Sequence, residues 1–148
     1  MKVIVTCGPS YEPIDEVRRL TNFSTGELGI LLANRLTRAG FEVLCFKGAG
    51  ATCPVGVEGA RLVEFTTNES LRAGLAAVER RGEIAAVFHA AALCDYGVKS
   101  VNTGDGAKIA AAKIPSRAGA LALTLEQLPK LIGELRTLFP ARDRKSNV

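Results

Sequence analysis

The residue types best suited to chemistry lie in the segment 22–29, NFSTGELG, which opens a predicted helix. An amide, two hydroxyls and two glycines are gathered just before that helix and in its first turn. A helix N-terminus offers unpaired N–H groups and the positive end of a dipole, and small residues let a phosphate approach the backbone. The segment therefore predicts an anion site of the kind that holds a nucleotide. The alternative interpretation is an ordinary capping box of Ser24 and Glu27, which requires neither the amide nor the glycines.

The elements that must position this segment alternate along the chain. Apolar runs predict strands at 2–6, 41–46, 61–65 and 84–92, and the last run is expected to be buried on both faces. Leucines at helical spacing predict a helix that follows Ser24 and stops at Gly40. Thr67 or Asn68 is expected to cap a second helix that runs to about Arg81. A further strand is predicted at 121–125 and a final helix at 128–138.

This alternation predicts an α/β fold, a Rossmann-like doubly wound and mostly parallel sheet with helices on both faces. One nucleotide-binding domain is expected over 1–140, followed by a polar tail at 141–148. Ligands of such sheets bind beyond the carboxyl ends of the strands, where 7–26, 47–59 and 93–117 are expected. The last of these segments is long and carries glycines and lysines, so it is predicted to be a mobile flap.

Composition limits the classes of function. The 148 residues are 47% hydrophobic with a net charge of +4, the basic residues are scattered, and aromatic residues are few. This pattern favours an anionic small molecule over dedicated nucleic-acid binding. The four cysteines lie far apart without a C-x-x-C pair, and the chain has one histidine, so neither a zinc site nor a disulfide framework is expected. Since no signal peptide and no apolar run of membrane-spanning length are visible, a cytoplasmic protein without a membrane partner is expected.

A nicotinamide-dependent oxidoreductase is the first alternative for such a fold. The turn after the first strand reads CGPS instead of G-x-G-x-x-G, and the second strand ends at Phe46-Lys47, where an NAD enzyme places an acid. Tyr96 and Lys99 are three residues apart, one short of the helical pair of short-chain dehydrogenases, and the glycine between them disfavours a helix. Lys47 can accept a 2′-phosphate, so an NADP-dependent short-chain reductase-like protein remains an alternative.

Several motifs resemble those of a known family. The runs 6–18, TCGPSYEPIDEVR, and 21–26, TNFSTG, are similar to the T-A-G-x-T-x-E-P-[IL]-D-x-V-R and S-N-x-S-S-G-x-M-G motifs of the bacterial phosphopantothenoylcysteine synthetase domain. The run 90–96, AAALCDY, resembles its A-A-V-A-D-Y segment, and Lys113-Ile114 resembles the start of its K-I-K-K flap. The chain therefore resembles the synthetase (phosphopantothenate–cysteine ligase) part of the DNA/pantothenate metabolism flavoprotein family, from residue 2 to about 135.

The resemblance implies a ligase of coenzyme A biosynthesis. CTP, with Mg²⁺, would activate the carboxylate of 4′-phosphopantothenate as an acyl-cytidylate with loss of pyrophosphate, and the amine of cysteine would then displace CMP. Because FMN belongs to a separate decarboxylase domain of the family, no FMN is expected in this chain. The implied site residues are Asn22 and Lys113 as catalytic groups, Arg18 and Asn22 for the acidic substrate, and Gly8, Ser24, Thr25, Gly26, His89, Ala90, Ala91 and Asp95 for the nucleotide.

Each of these assignments has a structural alternative. Asn22 would hold its loop through bonds from its side chain to the backbone, and Asp95 would cap the next turn. His89 would be a packed or hydrogen-bonded residue of the strand. Lys113 would be an ordinary surface lysine, with another lysine of the same segment as a competing candidate, and Arg18 would be a solvated loop charge.

The chain also departs from the family pattern. The K-I-K-K flap reads KIPS at 113–116, which removes two positive charges, and the N-P-D-I segment reads LPKL at 128–131, which exchanges an acid for a base. The later family strand with G-F-A-x-E has no counterpart before Val148, so a fragment or a shortened relative is expected. The second hypothesis is therefore a truncated or degenerate relative that binds a nucleotide without turnover. The sequence leaves open CTP against ATP, and a homodimer against a monomer.

Overall fold

The computed structural model describes residues 1–109 and 113–140, so the expected tail at 141–148 lies outside the described residues. In chain order the elements are β1 (Lys2–Pro9), β2 (Tyr11–Pro13), β3 (Arg19–Thr21), α1 (Glu27–Arg38), β4 (Glu42–Gly48), β5 (Arg61–Phe65), α2 (Asn68–Ala76), a short 3-10 turn (Arg81–Glu83), β6 (Ile84–Ala92), β7 (Tyr96–Thr103), β8 (Leu121–Gln127) and α3 (Leu131–Leu138). Parallel strands in the order β5-β4-β1-β6 form the central sheet. The pairs β2–β3 and β7–β8 are antiparallel.

Helices cover both faces of the central sheet. Successive side chains of a strand point to opposite faces, so β1 contributes to a hydrophobic cluster on each side. On one face the cluster joins Val3, Val5 and Cys7 to residues of α1. On the other face it joins Ile4 to residues of α2 and α3, among them Leu71, Leu75 and Leu131. The predicted Rossmann-like, mostly parallel sheet with helices on both faces is therefore confirmed.

Helix α1 starts and stops at glycines. It begins at Glu27, and Gly26 holds the capping position at φ +79°. The alternative capping box of Ser24 and Glu27 is therefore wrong, and a glycine is favoured there because left-handed backbone is costly for other residues. At the other end the predicted stop is confirmed, since Gly40 has φ +86° and donates its N–H to the Thr37 carbonyl.

Helix α2 starts as predicted and ends early. Thr67 caps it and forms a reciprocal capping box with Ser70. The predicted extent to about Arg81 is wrong, because the helix ends at Ala76. Arg80 then adopts a left-handed conformation at φ +50°, through which a right-handed helix cannot continue.

The strand predicted at 84–92 is confirmed as β6, but its predicted burial on both faces is wrong. Most of its residues are partly exposed, and Phe88 keeps 37% of its surface exposed. Within the described sheet β6 stands last in the strand order and pairs with β1. A continuous apolar run indicates a strand, but the residues do not reveal whether a further strand lies beside it.

The segment 93–117 is not a loop throughout, so the flap prediction is wrong for much of its length. Strand β7 occupies Tyr96–Thr103 and pairs with β8, which confirms a strand at 121–125 but places it outside the central sheet. A register shift between Val98 and Ser100 interrupts the alternation of apolar and polar residues by which a strand is recognised. The final helix is confirmed as α3, although it begins at Leu131 instead of residue 128.

Candidate functional site

Glycines allow three chain segments to meet closely at the carboxyl end of β1. Gly8 and Gly26 have left-handed backbone, with φ of +78° and +79°. A Cβ at Gly8 would lie 2.9 Å from the Ala51 Cβ, and one at Gly26 would lie 3.1 Å from that atom and 3.2 Å from the Gly8 Cα. A side chain at either glycine would therefore push the segments apart. The start of α1 is thus held against the end of β1, at the edge where sheets of this kind bind their ligands.

A cleft of about 380 Å³ opens beside this contact, and we call it the α1 cleft. The structure brings Asn22, Ser24 and Thr25 together in its lining, as the sequence predicted, and adds residues of β2, β3 and the turn after β4, among them Tyr11, Arg19 and Thr52. The Arg19 guanidinium carbon lies 4.8 Å from the centre of the Tyr11 ring, within the range of a cation–π contact. The resemblance to the family implies a ligand role for Arg18 and none for Arg19.

Arg18 has different neighbours. Its guanidinium pairs with the Asp15 carboxylate and lies 3.3 Å from the Ile114 carbonyl oxygen. Burial alone would raise the pKa of Asp15, but N–H groups of Ile114, Val17 and Arg18 and the guanidinium together lower it to about 2. These contacts bring Arg18 next to the backbone of Lys113–Ile114, which was predicted to carry the flap lysine.

The Asn22 side chain connects the loop before α1 to the end of β6. Its Nδ2 atom donates to the Leu93 carbonyl over 2.8 Å, and the residue is exposed. The loop-holding alternative therefore describes a real contact. That contact uses one donor of the amide, while an amide offers a second N–H and a carbonyl oxygen for a ligand.

Backbone contacts fix the approach to α1. The Thr25 carbonyl accepts the Cys53 N–H over 3.0 Å, which ties the loop to the segment after β4. The Thr25 hydroxyl lies 3.3 Å from the Glu27 N–H, in the first turn of the helix. Ser24 is partly buried beside it. The Thr25 hydroxyl is thus held at the start of α1.

His89, Ala90 and Ala91 lie along β6, next to the end of β1. The strand register pairs Thr6 with His89 and Gly8 with Ala91, so the structure brings Ala91 and Gly8 together. His89 Nδ1 lies 2.7 Å from the Thr6 hydroxyl, and burial lowers the pKa of the imidazole. This geometry matches the hydrogen-bonded alternative for His89.

Asp95 is paired with a base. The Lys130 ammonium lies 2.5 Å from the Asp95 carboxylate, and the Asp95 carbonyl accepts the Leu128 N–H over 2.9 Å. Lys130 is the residue at which the family segment carries an acid. The carboxylate assigned to the nucleotide is therefore neutralised by a residue in which this chain departs from the family pattern.

The two candidate lysines of the segment 93–117 are separated. Lys113 is exposed and precedes Ile114, whose side chain is buried. Lys108 follows β7 and forms an isolated antiparallel backbone β-bridge with Asn102. Lys113 is therefore the lysine that the contacts of Arg18 and Asp15 hold beside the N-terminal loop.

A polar network that the sequence does not predict lies at the same edge of the sheet. The Ser10 hydroxyl donates to Asn68 Oδ1 over 2.6 Å, and Asn68 Nδ2 donates to the Cys94 carbonyl over 2.7 Å. The Cys94 N–H in turn donates to the Ser10 hydroxyl over 2.9 Å. The network joins the ends of β1 and β6 to the start of α2. The sequence predicts Asn68 only as a candidate helix cap, and no residue pattern near it signals these side-chain contacts.

These features define a Rossmann-like α/β domain with a candidate ligand cleft at the carboxyl edge of its parallel sheet. The chain belongs to the family described as the DNA/pantothenate metabolism flavoprotein C-terminal domain, whose model matches residues 1–142. The match confirms the resemblance read from the motifs and favours a synthetase-type domain over the reductase-like alternative.

Individual relatives agree with the family. The chain is 32% identical over 139 residues to the coenzyme A biosynthesis bifunctional protein CoaBC of Thermococcus kodakarensis, which covers 94% of this chain and 32% of that protein. The chain thus spans about a third of the length of such curated relatives. The crystal structure of the DNA/pantothenate metabolism flavoprotein from Streptococcus pneumoniae matches with a TM-score of 0.78 and 27% identity, over 95% of this chain and 66% of that one. A Cab2 mutant in complex with phosphopantothenate-cysteine shares the fold, with a TM-score of 0.60 and 18% identity, over 93% of this chain and 60% of that one.

Two further observations apply to residues 1–109 and 113–140. No helix there combines the length and the apolar character needed to cross a membrane. In the same residues, no group of three or more His, Cys, Asp or Glu side chains lies together as a metal site.

Proposed function

We propose that this chain is the ligase domain of a phosphopantothenate–cysteine ligase of coenzyme A biosynthesis, which uses CTP to couple an acid to an amino acid. The class of enzyme is supported by the family to which the chain belongs and by the similarity to CoaBC, a coenzyme A biosynthesis protein. The observation that carries the proposal is the α1 cleft, in which Asn22, Ser24 and Thr25 lie together beside the start of α1. The Cab2 complex, which shares the fold, supports the choice of product.

The proposed reaction has two steps. A carboxylate oxygen of 4′-phosphopantothenate attacks the α-phosphorus of CTP, the bond from that phosphorus to pyrophosphate breaks, and an acyl-cytidylate forms. The amine of cysteine then attacks the acyl carbon, an amide forms, and CMP and a proton leave. Both steps depend on aligned anions and on stabilised developing charge, and neither requires a covalent bond to the protein.

The lining of the α1 cleft suits the anionic part of this chemistry. Ser24, Thr25 and the backbone of Gly26 would donate hydrogen bonds to phosphate oxygens at the start of α1. Asn22 would bind the carboxylate and then the acyl group, since a neutral amide can contact an acyl phosphate without being acylated. Arg19 in the cleft wall would add a positive charge.

The proposed nucleotide contacts lie at the ends of β1 and β6. The backbone at these strand ends would border the base and ribose of the nucleotide. Asp95 would bind a hydroxyl or amino group of the nucleotide after its carboxylate is released from Lys130. The proposed contact of His89 is through its backbone on β6, because its ring is hydrogen-bonded to the Thr6 hydroxyl. The residues are Gly8, His89, Ala90, Ala91 and Asp95.

Arg18 and Lys113 are proposed to act together on the acidic substrate. Arg18 would bind an anionic group of 4′-phosphopantothenate, and Lys113 would neutralise phosphate charge as it develops. The contact of the Arg18 guanidinium with the Ile114 carbonyl supports this, because it holds the peptide next to Lys113 beside the arginine.

Mg²⁺ is proposed to reach the site on the triphosphate. This ion usually keeps several waters and binds through one or two carboxylates together with the phosphates of the substrate. Bound to the triphosphate, the ion would neutralise part of the charge on the phosphates.

We also propose that the protein is a cytoplasmic homodimer. Its partners would be small molecules, and neither nucleic acid nor a membrane. Leu121, Leu123 and Leu125 alternate along one face of β8 and stay 38%, 42% and 42% exposed, which supports burial against another surface. Sedimentation equilibrium measures the mass directly, and a monomer at every concentration would contradict the dimer.

Pyrophosphate release tests the proposed function. The 148-residue chain is mixed with CTP, Mg²⁺ and 4′-phosphopantothenate, and ATP replaces CTP in a parallel reaction. We expect pyrophosphate only when both the nucleotide and the acid are present, and phosphopantothenoylcysteine by mass spectrometry once cysteine is added. A folded chain that releases no pyrophosphate with either nucleotide would contradict ligase activity.

A second candidate is a relative that binds a nucleotide without turnover. The pairing of Asp95 with Lys130 favours it, since the carboxylate proposed for the nucleotide already has a partner. The sequence KIPS at 113–116, with fewer lysines than the family flap, favours it too. Calorimetry that detects CTP binding, combined with no pyrophosphate release, would decide for this candidate.

A further inference from the structure

The Asp15 carboxylate is enclosed, and its two oxygens have different partners. The side chain is 1% exposed. Oδ1 accepts the N–H groups of Val17 over 2.9 Å and of Arg18 over 2.7 Å, which closes a local turn. Oδ2 accepts the Ile114 N–H over 3.0 Å and the Arg18 guanidinium. One oxygen therefore serves the turn, and the other joins this turn to a segment 99 residues away.

Ile114 is held on both sides of its backbone. Its N–H donates to Asp15, and its carbonyl oxygen lies 3.3 Å from the Arg18 guanidinium. The residue is 2% exposed, so Ile114 is also fixed by packing. The nitrogen that Asp15 contacts belongs to the peptide bond that follows Lys113. We call the set of Asp15 Oδ2, the Arg18 guanidinium and the Ile114 backbone the Asp15 link.

We propose that Asp15 is a positioning residue, which fixes Arg18 and the backbone beside Lys113 relative to one another before the substrates bind. The inference rests on the proposed function, in which Arg18 and Lys113 bind anionic groups of the substrates. Two independent flexible cations lose side-chain and backbone freedom when they meet one polyanion, and a preformed link between them reduces that cost. Asp15 itself touches no substrate in this arrangement.

The charge of Asp15 is essential to the link. A carboxylate without access to water is retained when N–H donors and a guanidinium compensate for the lost hydration. All of these donors are present around Asp15. If the carboxylate is removed, the Arg18 guanidinium keeps only its contact with the Ile114 carbonyl within the link, so the arginine gains freedom to turn toward solvent.

The proposal can be tested because the two carboxylate oxygens of Asp15 accept hydrogen bonds from different groups. Asp15→Asn keeps an Oδ1 that accepts from Val17 and Arg18, so the turn is retained. The second oxygen becomes an NH₂ group, which cannot accept from the Ile114 N–H or from the guanidinium. Glu16→Gln is the matched control, because it makes the same chemical change at the exposed neighbouring residue.

The experiment combines amide exchange with steady-state kinetics on the 148-residue chain. In Asp15→Asn we expect the Ile114 amide to exchange about tenfold faster or more, because it has lost its acceptor. We expect kcat/KM for 4′-phosphopantothenate to fall about tenfold or more, while KM for cysteine stays within about twofold. A merely structural role would lower the folded fraction, and with it kcat for all substrates alike. Glu16→Gln is expected to change neither exchange nor kinetics.

The two readouts separate the possible failures. Unchanged Ile114 exchange, or faster exchange with unchanged kcat/KM, would overturn the positioning role of Asp15. If the unaltered chain releases no pyrophosphate, the proposed function fails, and the role of Asp15 in turnover fails with it. Exchange of the Ile114 amide would still show whether the Asp15 link holds the backbone beside Lys113. If Asp15→Asn does not fold, Arg18→Gln keeps the carboxylate and removes the guanidinium contact with the Ile114 carbonyl. Unchanged exchange of the amides around Ile114 in that variant would overturn the link.

Discussion

Lys130 and Asp95 form an ion pair at the carboxyl edge of the sheet, with 2.5 Å between Nζ and Oδ1. The side chains are 59% and 61% exposed, so water screens the pair and its net contribution to stability is small. Its importance is positional, because Asp95 is the acid proposed for the nucleotide. A ligand that binds Asp95 Oδ1 competes with the lysine for that oxygen.

Lys130→Gln is therefore expected to strengthen CTP binding about 1.4- to fivefold, since an exposed pair is worth about 0.2–1 kcal/mol. Isothermal titration calorimetry measures the dissociation constant. Lys99→Gln, which removes a lysine paired with Glu126 on β8, is the matched control and should leave binding unchanged. Weaker binding in Lys130→Gln would instead show that the ammonium contacts the phosphates.

Asn22→Ala is expected to lower kcat for pyrophosphate release about a hundredfold, because it removes a donor proposed to act on the reacting carboxylate. Stability should change little, since the lost contact is one exposed hydrogen bond to the Leu93 carbonyl. Asn102→Ala, which removes a comparable bond to the Gly106 carbonyl, is the control. Full activity of Asn22→Ala would remove Asn22 from the mechanism.

Gly29→Ala is expected to destabilise the fold by about 1–3 kcal/mol, the usual cost of overpacking. A Cβ at Gly29 would clash with the Cβ of Cys7, so α1 would have to move away from β1. Gly133→Ala is the matched control in α3, where a Cβ would meet no other described atom within 4 Å. That control should gain about 0.5–1 kcal/mol from helix propensity. Urea unfolding measures both changes, and equal stability of the two variants would contradict the close packing of α1.

His89 is expected to titrate below its ordinary pKa of 6.5, because burial disfavours the charged imidazole. The folded state then takes up its proton at lower pH than the unfolded state, so the contribution of His89 to stability is full above about pH 6.5 and falls on acidification through that value. NMR can follow this directly, because the chain has one histidine. His89→Gln should flatten the dependence of unfolding free energy on pH between about 7 and 5. A His89 pKa above 6.5 would contradict the buried, neutral ring.

The central sheet was predictable because each of its strands is a local apolar run between turn signals. The exposure of β6 and the existence of β7 were not predictable. Burial of β6 depends on how many strands lie beside it, which is a property of the assembled sheet. The alternation in β7 is interrupted by the register shift between Val98 and Ser100, so its residues read as a loop.

The candidate site also has a part that the sequence predicts and a part that it does not. The loop before α1 was predictable, because its residue types suit a helix start whatever the remote contacts are. The contacts of Arg18 with Ile114, of Asp95 with Lys130 and of Asn68 with Cys94 were not, since each joins residues 26 or more positions apart along the chain. Sequence patterns report neighbours within a turn or a strand, and they do not report which distant carbonyl or carboxylate a side chain reaches.

The contact of Gly8, Gly26 and Ala51 has a consequence for how this domain can vary. Each of the three is a direct neighbour in sequence of a residue that lines the α1 cleft: Pro9, Thr25 and Thr52. The side of the cleft next to this contact is therefore shaped by the path of the main chain, because a side chain at Gly8 or Gly26 would meet Ala51. Related chains can exchange other lining residues, and so alter which molecules are accepted, while this side of the cleft keeps its shape.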